Sequence, residues 1–170
     1  MKISIYTDGS YNKEDGRAHG GIVIMDDDGS VKSKMHVIST LNCLTSMNNV
    51  GGEIMAAYAA IKSIYLNYKK GTYGDQGVEV CVLHDYEGVG KWVRGEWKAK
   101  KQATIWYANI IRNMMSDPKF KVRFEWVKGH DVSAGNREAD AVADYEMPGF
   151  EVRGIQVVNL DKLLMSEGLR

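Results

Sequence analysis

The stretch Lys2-Ile3-Ser4-Ile5-Tyr6-Thr7-Asp8-Gly9-Ser10 decides how the rest of the chain is read. Residues 2–7 alternate and are rich in β-branched and aromatic types, which is strand patterning. The run ends on a carboxylate followed by Gly-Ser. Working outward, Gly20–Asp26 (GGIVIMD) is a second apolar run. Asp26-Asp27-Asp28-Gly29 reads as a hairpin turn into a third strand over 31–39. Ile54, Tyr58, Ile61, Tyr65 and Tyr68 then recur at three- and four-residue steps, predicting a helix over about 52–69 that stops at Gly71. VEVCVL (78–83) is a short apolar strand, 86–94 and 103–115 read as helices, and KVRFEWV (121–127) as a fifth strand. A helix is expected over 135–145, with Ser133 or Asn136 as its N-cap. The tail from Pro148-Gly149 has room for a short strand (Ile155–Val158) and a short helix (Asp161–Glu167). This order predicts an α/β chain whose five-stranded mixed sheet begins with three antiparallel strands, continues with parallel additions and is flanked by helices.

Composition narrows the class. The chain has 170 residues, is 44% hydrophobic and carries 22 basic and 22 acidic side chains, which suits one globular domain with a real core. It excludes a disordered chain and a disulfide scaffold. No apolar run is long enough for a membrane helix, and the N-terminus lacks secretory-signal character. Cys43 and Cys81 have no metal-like or redox-like spacing and read as reduced thiols of a cytoplasmic protein. Charge is unevenly spread. Between Lys91 and Lys128 stand ten lysines and arginines against three acids, a local net charge of +7 on an acidic background. That asymmetry permits a nucleic-acid partner despite the neutral total.

Four carboxylates fall where the chain changes element: Asp8 at the end of the first strand, Glu53 at the start of the long helix, Asp85 after the fourth strand and Asp140 in the last helix. If strands one and four are neighbours, Asp8 and Asp85 lie side by side. Clustered carboxylates repel unless cations neutralise them, and oxygen-only ligands suit hard Mg²⁺ or Mn²⁺. Each residue also has a plainer reading: Asp8 as a turn residue, Glu53 as a helix-dipole partner, Asp85 as an N-cap, Asp140 as a solvated helix residue. No spacing rule links the four.

A family resemblance does link them. IYTDGS (5–10), NNVGGEIMAA (48–57), VLHDYEGV (82–89) and VKGHDVSAGNREADAVA (127–143) together resemble type 1 ribonuclease H in order and spacing. The stretch Asp85 to Lys100, with its DYEG and GEWKAK strings, is similar to a phage and bacterial branch. The resemblance implies the ribonuclease H fold over 1–147; as departures from the family, 148–170 is expected to be a C-terminal extension without counterpart, packed on or trailing from the domain, and no hybrid-binding domain is expected ahead of the strand that starts at residue 2. It implies an endoribonuclease that hydrolyses the RNA strand of RNA–DNA hybrids with two Mg²⁺ ions, Mn²⁺ able to substitute, leaving 5′-phosphate and 3′-hydroxyl ends. Asp8, Glu53, Asp85 and Asp140 would be the catalytic metal ligands, and His130 would assist water activation or product release. Gly9, Ser10, Asn49 and Asn136 match positions that read RNA 2′-hydroxyls, the groups that distinguish RNA from DNA. Trp92 and Trp97, with Lys98, Lys100 and Lys101, fall where the family carries a basic protrusion that grips the hybrid; either ring also suits a core position. Trp106 and Trp126 read as core, and His19, His36 and His84 as structural. The resemblance further implies a monomer with no small-molecule cofactor and no membrane partner. The different-class alternative is a catalytically silent module binding RNA–DNA hybrid or double-stranded RNA. Val50-Gly51-Gly52 places one residue more than the family pattern between the asparagine pair and Glu53.

Overall fold

A computed structural model describes residues 1–128, 139, 141–143 and 154–170. Three long strands come first: β1 (Lys2–Asn12), β2 (Arg17–Asp26) and β3 (Val31–Ser39). A short helix α1 (Asn42–Thr45) leads into the long α2 (Asn49–Lys69). Then come β4 (Val78–His84), α3 (Gly88–Arg94), α4 (Gln102–Met115), β5 (Phe120–Trp126), β6 (Ile155–Asn159) and α5 (Asp161–Ser166). The sheet order is β5-β4-β1-β2-β3-β6. β2 is antiparallel to both neighbours, and every other pairing is parallel.

The α/β reading holds, with six strands rather than five. The additional strand is the tail segment β6, which pairs Ile155–Asn159 with Lys34–Ile38 of β3. Beyond it, α5 packs into the main core through Leu160, Leu164 and Leu169. Asp161 fastens its start to the end of β3, accepting from Ser39 Oγ at 2.6 Å and from the Thr40 amide at 3.1 Å.

α2 begins at Asn49, three residues before the position its apolar period predicts. Val50-Gly51-Gly52 forms its first turn although glycine is a poor helix former. The glycines are there for proximity. A Cβ on Gly51 would stand 2.1 Å from the Leu44 carbonyl, and one on Gly52 2.3 Å from the His19 carbonyl. From the strand side, a Cβ on Gly9 would stand 2.1 Å from the Glu53 amide. The start of α2 therefore rests backbone to backbone on β1 and β2. On the opposite face, a Cβ on Gly21 would meet the Ala139 carbonyl at 2.1 Å, so the helical residues 139 and 141–143 come equally close to β2.

Strand alternation sorts β1 between these faces. Ile3 and Ile5 join the α2-side core, whereas Tyr6 packs with Val23, Ala139 and Val142 on the other side. No helix among the described residues is long and apolar enough to cross a membrane.

Leu164 is fully buried in the main core. Leu164→Ala is expected to lower the unfolding free energy by about 2–5 kcal/mol, read as a drop in the urea midpoint with an unchanged slope.

Candidate active site

Parallel pairing of β1 with β4 matches Thr7 with His84, so Asp8 and Asp85 leave the same edge of the sheet as neighbours. The glycine contacts bring Glu53 to the same edge. One carboxylate oxygen from each of Asp8, Glu53 and Asp85 lies within 4.8 Å of the others. Asp8 and Glu53 are buried, and Asp85 is half-buried. The Gly9 amide donates to Asp8 Oδ1 at 3.0 Å. Glu53 Oε2 and Asp85 Oδ1 are buried without a hydrogen-bond partner among the described residues.

Burial, reinforced by the charges of Asp8 and Asp85, pushes the Glu53 carboxyl well above its usual range. Buried orphan acceptors are costly, and so are crowded like charges. A divalent cation resolves both problems, and an all-carboxylate set suits a hard, oxygen-preferring ion such as Mg²⁺ or Mn²⁺. The residues present therefore fit the metal site that the sequence suggests.

The chain beyond Asp85 is held in place by its own neighbours. His84 Nδ1 donates to the Tyr86 carbonyl at 2.7 Å. Burial holds this imidazole below its ordinary range, so it is neutral at pH 7. Trp126 Nε1 donates to the Asp85 carbonyl at 2.9 Å. Trp126 is not a core residue as the aromatic strand pattern suggests. It is 48% exposed, because β5 is an edge strand and the ring sits at its open end beside the carboxylates. Trp106 does pack against the core, with its indole N–H donating to the Glu167 carbonyl at 3.0 Å.

The aromatic and basic residues after Asp85 gather on one side of the site. Tyr86, Trp92 and Trp97 form a triangle of rings with centroids 5.8–6.1 Å apart. Both indoles are half-buried, and Lys91 Nζ lies 5.3 Å from the Trp97 ring centre. Lys98, Lys100 and Lys101 line a hollow of about 280 Å³ floored by Tyr86, Trp92 and Met47. The basic stretch of the sequence is thus split in space. Lys119 and Lys121 line a different hollow with Met1 and Lys2, at the sheet edge where β4 begins.

Among the remaining predicted contacts, Gly9 and Ser10 continue β1 directly past Asp8. Asn49 is exposed at the start of α2 and accepts from the Tyr11 amide at 2.9 Å, tying helix to strand. Asp140, His130 and Asn136 lie outside the described residues. Sequence reasoning missed Trp126 and Tyr86 as site neighbours. For Tyr86 the signal was its place directly after Asp85; for Trp126 only the strand order supplies it.

Comparison with known proteins agrees with this geometry. The RNase H family model matches residues 1–147. Ribonuclease H of Cereibacter sphaeroides (strain ATCC 17025 / ATH 2.4.3) is 25% identical over 157 residues, covering 87% of this chain and 96% of its own. Ribonuclease HI of Rickettsia prowazekii (strain Madrid E) is 27% identical over 148 residues, covering 84% and 88%. RNase H1 from the halophilic archaeon Halobacterium salinarum NRC-1 shares the fold with a TM-score of 0.64 at 20% identity, covering 85% of this chain and 96% of its own. LC11-RNase H1, solved in complex with an RNA/DNA hybrid, gives 0.63 at 22%, covering 84% and 94%. Fold and site together define a hydrolase of the nuclease class. The chain belongs to the RNase H family and is a ribonuclease H enzyme.

The electrostatics of Glu53 set a pH dependence. Its folded-state value lies above the unfolded one, so between the two the folded protein holds the extra proton. In chelator, stability should therefore fall as pH rises above about 4.5 through the folded value. Glu53→Gln removes that loss. The metal-free variant is expected to show a higher urea midpoint than the parent at pH 8, with the two converging near pH 4.

Proposed function

We propose that this protein hydrolyses the RNA strand of RNA–DNA hybrids endonucleolytically, with two divalent cations, leaving 5′-phosphate and 3′-hydroxyl ends. The observation that carries the reading is the trio Asp8, Glu53 and Asp85, gathered within 4.8 Å with two buried oxygens that lack a hydrogen-bond partner among the described residues. The relatives named Ribonuclease H support it, as does the hybrid in the complex of LC11-RNase H1. Asp8, Glu53 and Asp85 would hold the ions, with Asp140 as the fourth ligand. When bound, two such ions lower the pKa of a water and offset the charge of an in-line displacement at phosphorus.

The remaining work belongs to the chain. The Gly9 amide fixes the orientation of the Asp8 carboxylate through its 3.0 Å bond. Glu53 gives up its proton when cation charge compensates for its burial. Gly9, Ser10, Asn49 and Asn136 read 2′-hydroxyls along the RNA strand, a contact that DNA cannot supply. Lys98, Lys100 and Lys101 neutralise phosphates, while Trp92 and Trp97 offer flat apolar faces to the sugar-base surface. His130 assists the water or the departing product. Residues 1–147 form the catalytic domain and 148–170 a C-terminal extension, whose described part adds β6 and α5 to the fold. The protein acts as a cytoplasmic monomer with Cys43 and Cys81 reduced, in the branch carrying DYEG and GEWKAK.

The deciding experiment is cleavage of a labelled RNA–DNA hybrid beside double-stranded RNA, double-stranded DNA and single-stranded RNA, each with Mg²⁺, Mn²⁺ or chelator. Metal-dependent cutting confined to the RNA strand of the hybrid is expected. Binding without cutting would replace this reading with that of a silent binding module. Asp8→Asn is expected to lower kcat by about 100-fold or more while the circular dichroism spectrum stays native, because it removes ligand charge from a self-repelling site. Replacing Lys98, Lys100 and Lys101 by Ala should weaken hybrid binding. It should also flatten the salt dependence by up to about 0.9 log units per log unit of salt for each phosphate left without its lysine. An unchanged slope would place the grip elsewhere.

A further inference from the structure

Away from the carboxylates, three titratable side chains form an unbroken hydrogen-bonded chain that ends on the helical residues 141–143. Asp15 stands in the turn between β1 and β2, His19 on β2 and His36 on β3. Asp15 Oδ2 lies 2.8 Å from His19 Nε2, and His19 Nδ1 lies 2.9 Å from His36 Nε2. His36 Nδ1 lies 2.6 Å from the carbonyl oxygen of Val142. His19 is 4% exposed and His36 is fully buried.

The ends of this chain fix which atoms donate. The Val142 carbonyl only accepts, so His36 Nδ1 carries a hydrogen. At the other end, burial alone would raise the Asp15 carboxyl. The Arg17 amide, the His19 hydrogen bond and the His19 charge outweigh burial and hold it below its usual range. Asp15 is then ionised at neutral pH and also only accepts, so His19 Nε2 carries a hydrogen. Between these ends the two rings bond each other directly. His36 is thus held from behind by His19, which in turn donates to the Asp15 carboxylate. Charge-assisted bonds of this kind are short and about twice as strong as neutral ones.

The destination of the chain matters for the site. The contacts of Gly21 with Ala139 and Ala143 let the backbone approach β2, but close packing of small groups sets distance rather than rotation. A hydrogen bond is directional. Gly21, which these residues touch, pairs with Asp8 across β1 and β2, and one residue of helix is a rotation of roughly 100°. We propose that His36, held by His19 and Asp15, is a positioning residue that sets the rotation of the helical residues 141–143 against β2, and through them the Mg²⁺ requirement of the ion site beside Gly21. The part concerning the Mg²⁺ requirement rests on the ion-dependent reaction proposed above; the brace itself does not.

The test uses the full chain with His36→Leu, which breaks the brace, and His36→Asn, whose amide nitrogen stands in for Nδ1. Hydrogen exchange at residues 139–143 is read against exchange in β1 and α2, and cleavage is titrated with Mg²⁺. His36→Leu is expected to speed exchange at 139–143 by about 10-fold with β1 and α2 unchanged, and to raise the Mg²⁺ needed for half-maximal cleavage by about 10-fold. His36→Asn should recover most of both. If His36→Leu does not fold, His19→Leu cuts the chain one link earlier and is read the same way. Unchanged exchange at 139–143, or a uniform rise over the whole chain, overturns the brace. Local loosening with an unchanged Mg²⁺ requirement overturns its role in positioning. If the parent protein fails to cut hybrid while the exchange pattern appears as expected, the reaction reading falls and the brace stands.

Discussion

The contact between the start of α2 and the first two strands is the constraint on which the site depends. Gly9 and Gly52 leave no space for a side chain where helix and strand backbones meet. Any Cβ there would push α2 outward and carry Glu53 away from Asp8. Gly20 and Gly21 extend the same economy to both faces of β2: the first faces Ala56 and Gly52 of α2, the second faces Ala139 and Ala143. The sheet is thin at this one dipeptide, and two helical segments close on it from opposite sides. Glycine in helices and strands costs conformational entropy. That cost is offset by the core that α2 buries, from Ile54 through Ile64.

What this packing achieves is unfavourable in itself. It holds Asp8, Glu53 and Asp85 together at a partly desolvated edge, with burial acting on Glu53 more strongly than its charged neighbours do. Such an arrangement persists only because the surrounding fold over-determines it, and the conflict is the mark of a functional site. The open end of the sheet also carries Tyr86, Trp126 and the lysine-lined hollow, so carboxylates, aromatic faces and positive charge lie along one continuous edge.

Much of this was legible in the order of residues. Strand alternation in 2–7, the helical period from Ile54 to Tyr68 and the hairpin signal at Asp26–Gly29 each found their elements, because a local periodicity faces a local solvent boundary. Asp85 follows β4 as its sequence position suggests, whereas Asp8 lies inside β1, which runs on to Asn12, and Glu53 lies one turn into α2 rather than at its start. Where the reading departed, the cause was non-local. α2 starts early because its glycines answer to strands far away in sequence. Trp126 is exposed because β5 lies at an edge, which no pattern within 120–126 reveals. The sixth strand comes from a tail whose partner, β3, precedes it by more than a hundred residues.

By itself, the sequence determined the element types, the absence of a long apolar span and a set of carboxylates with the chemistry of a divalent-ion site. These follow from side-chain type and near-neighbour spacing, which act locally. Only the tertiary structure decided which carboxylates meet, which histidines bond one another and which part of the basic stretch stands beside the site. Those outcomes depend on strand order and on backbone contacts between segments distant in the chain, where a single missing Cβ decides how close two elements come.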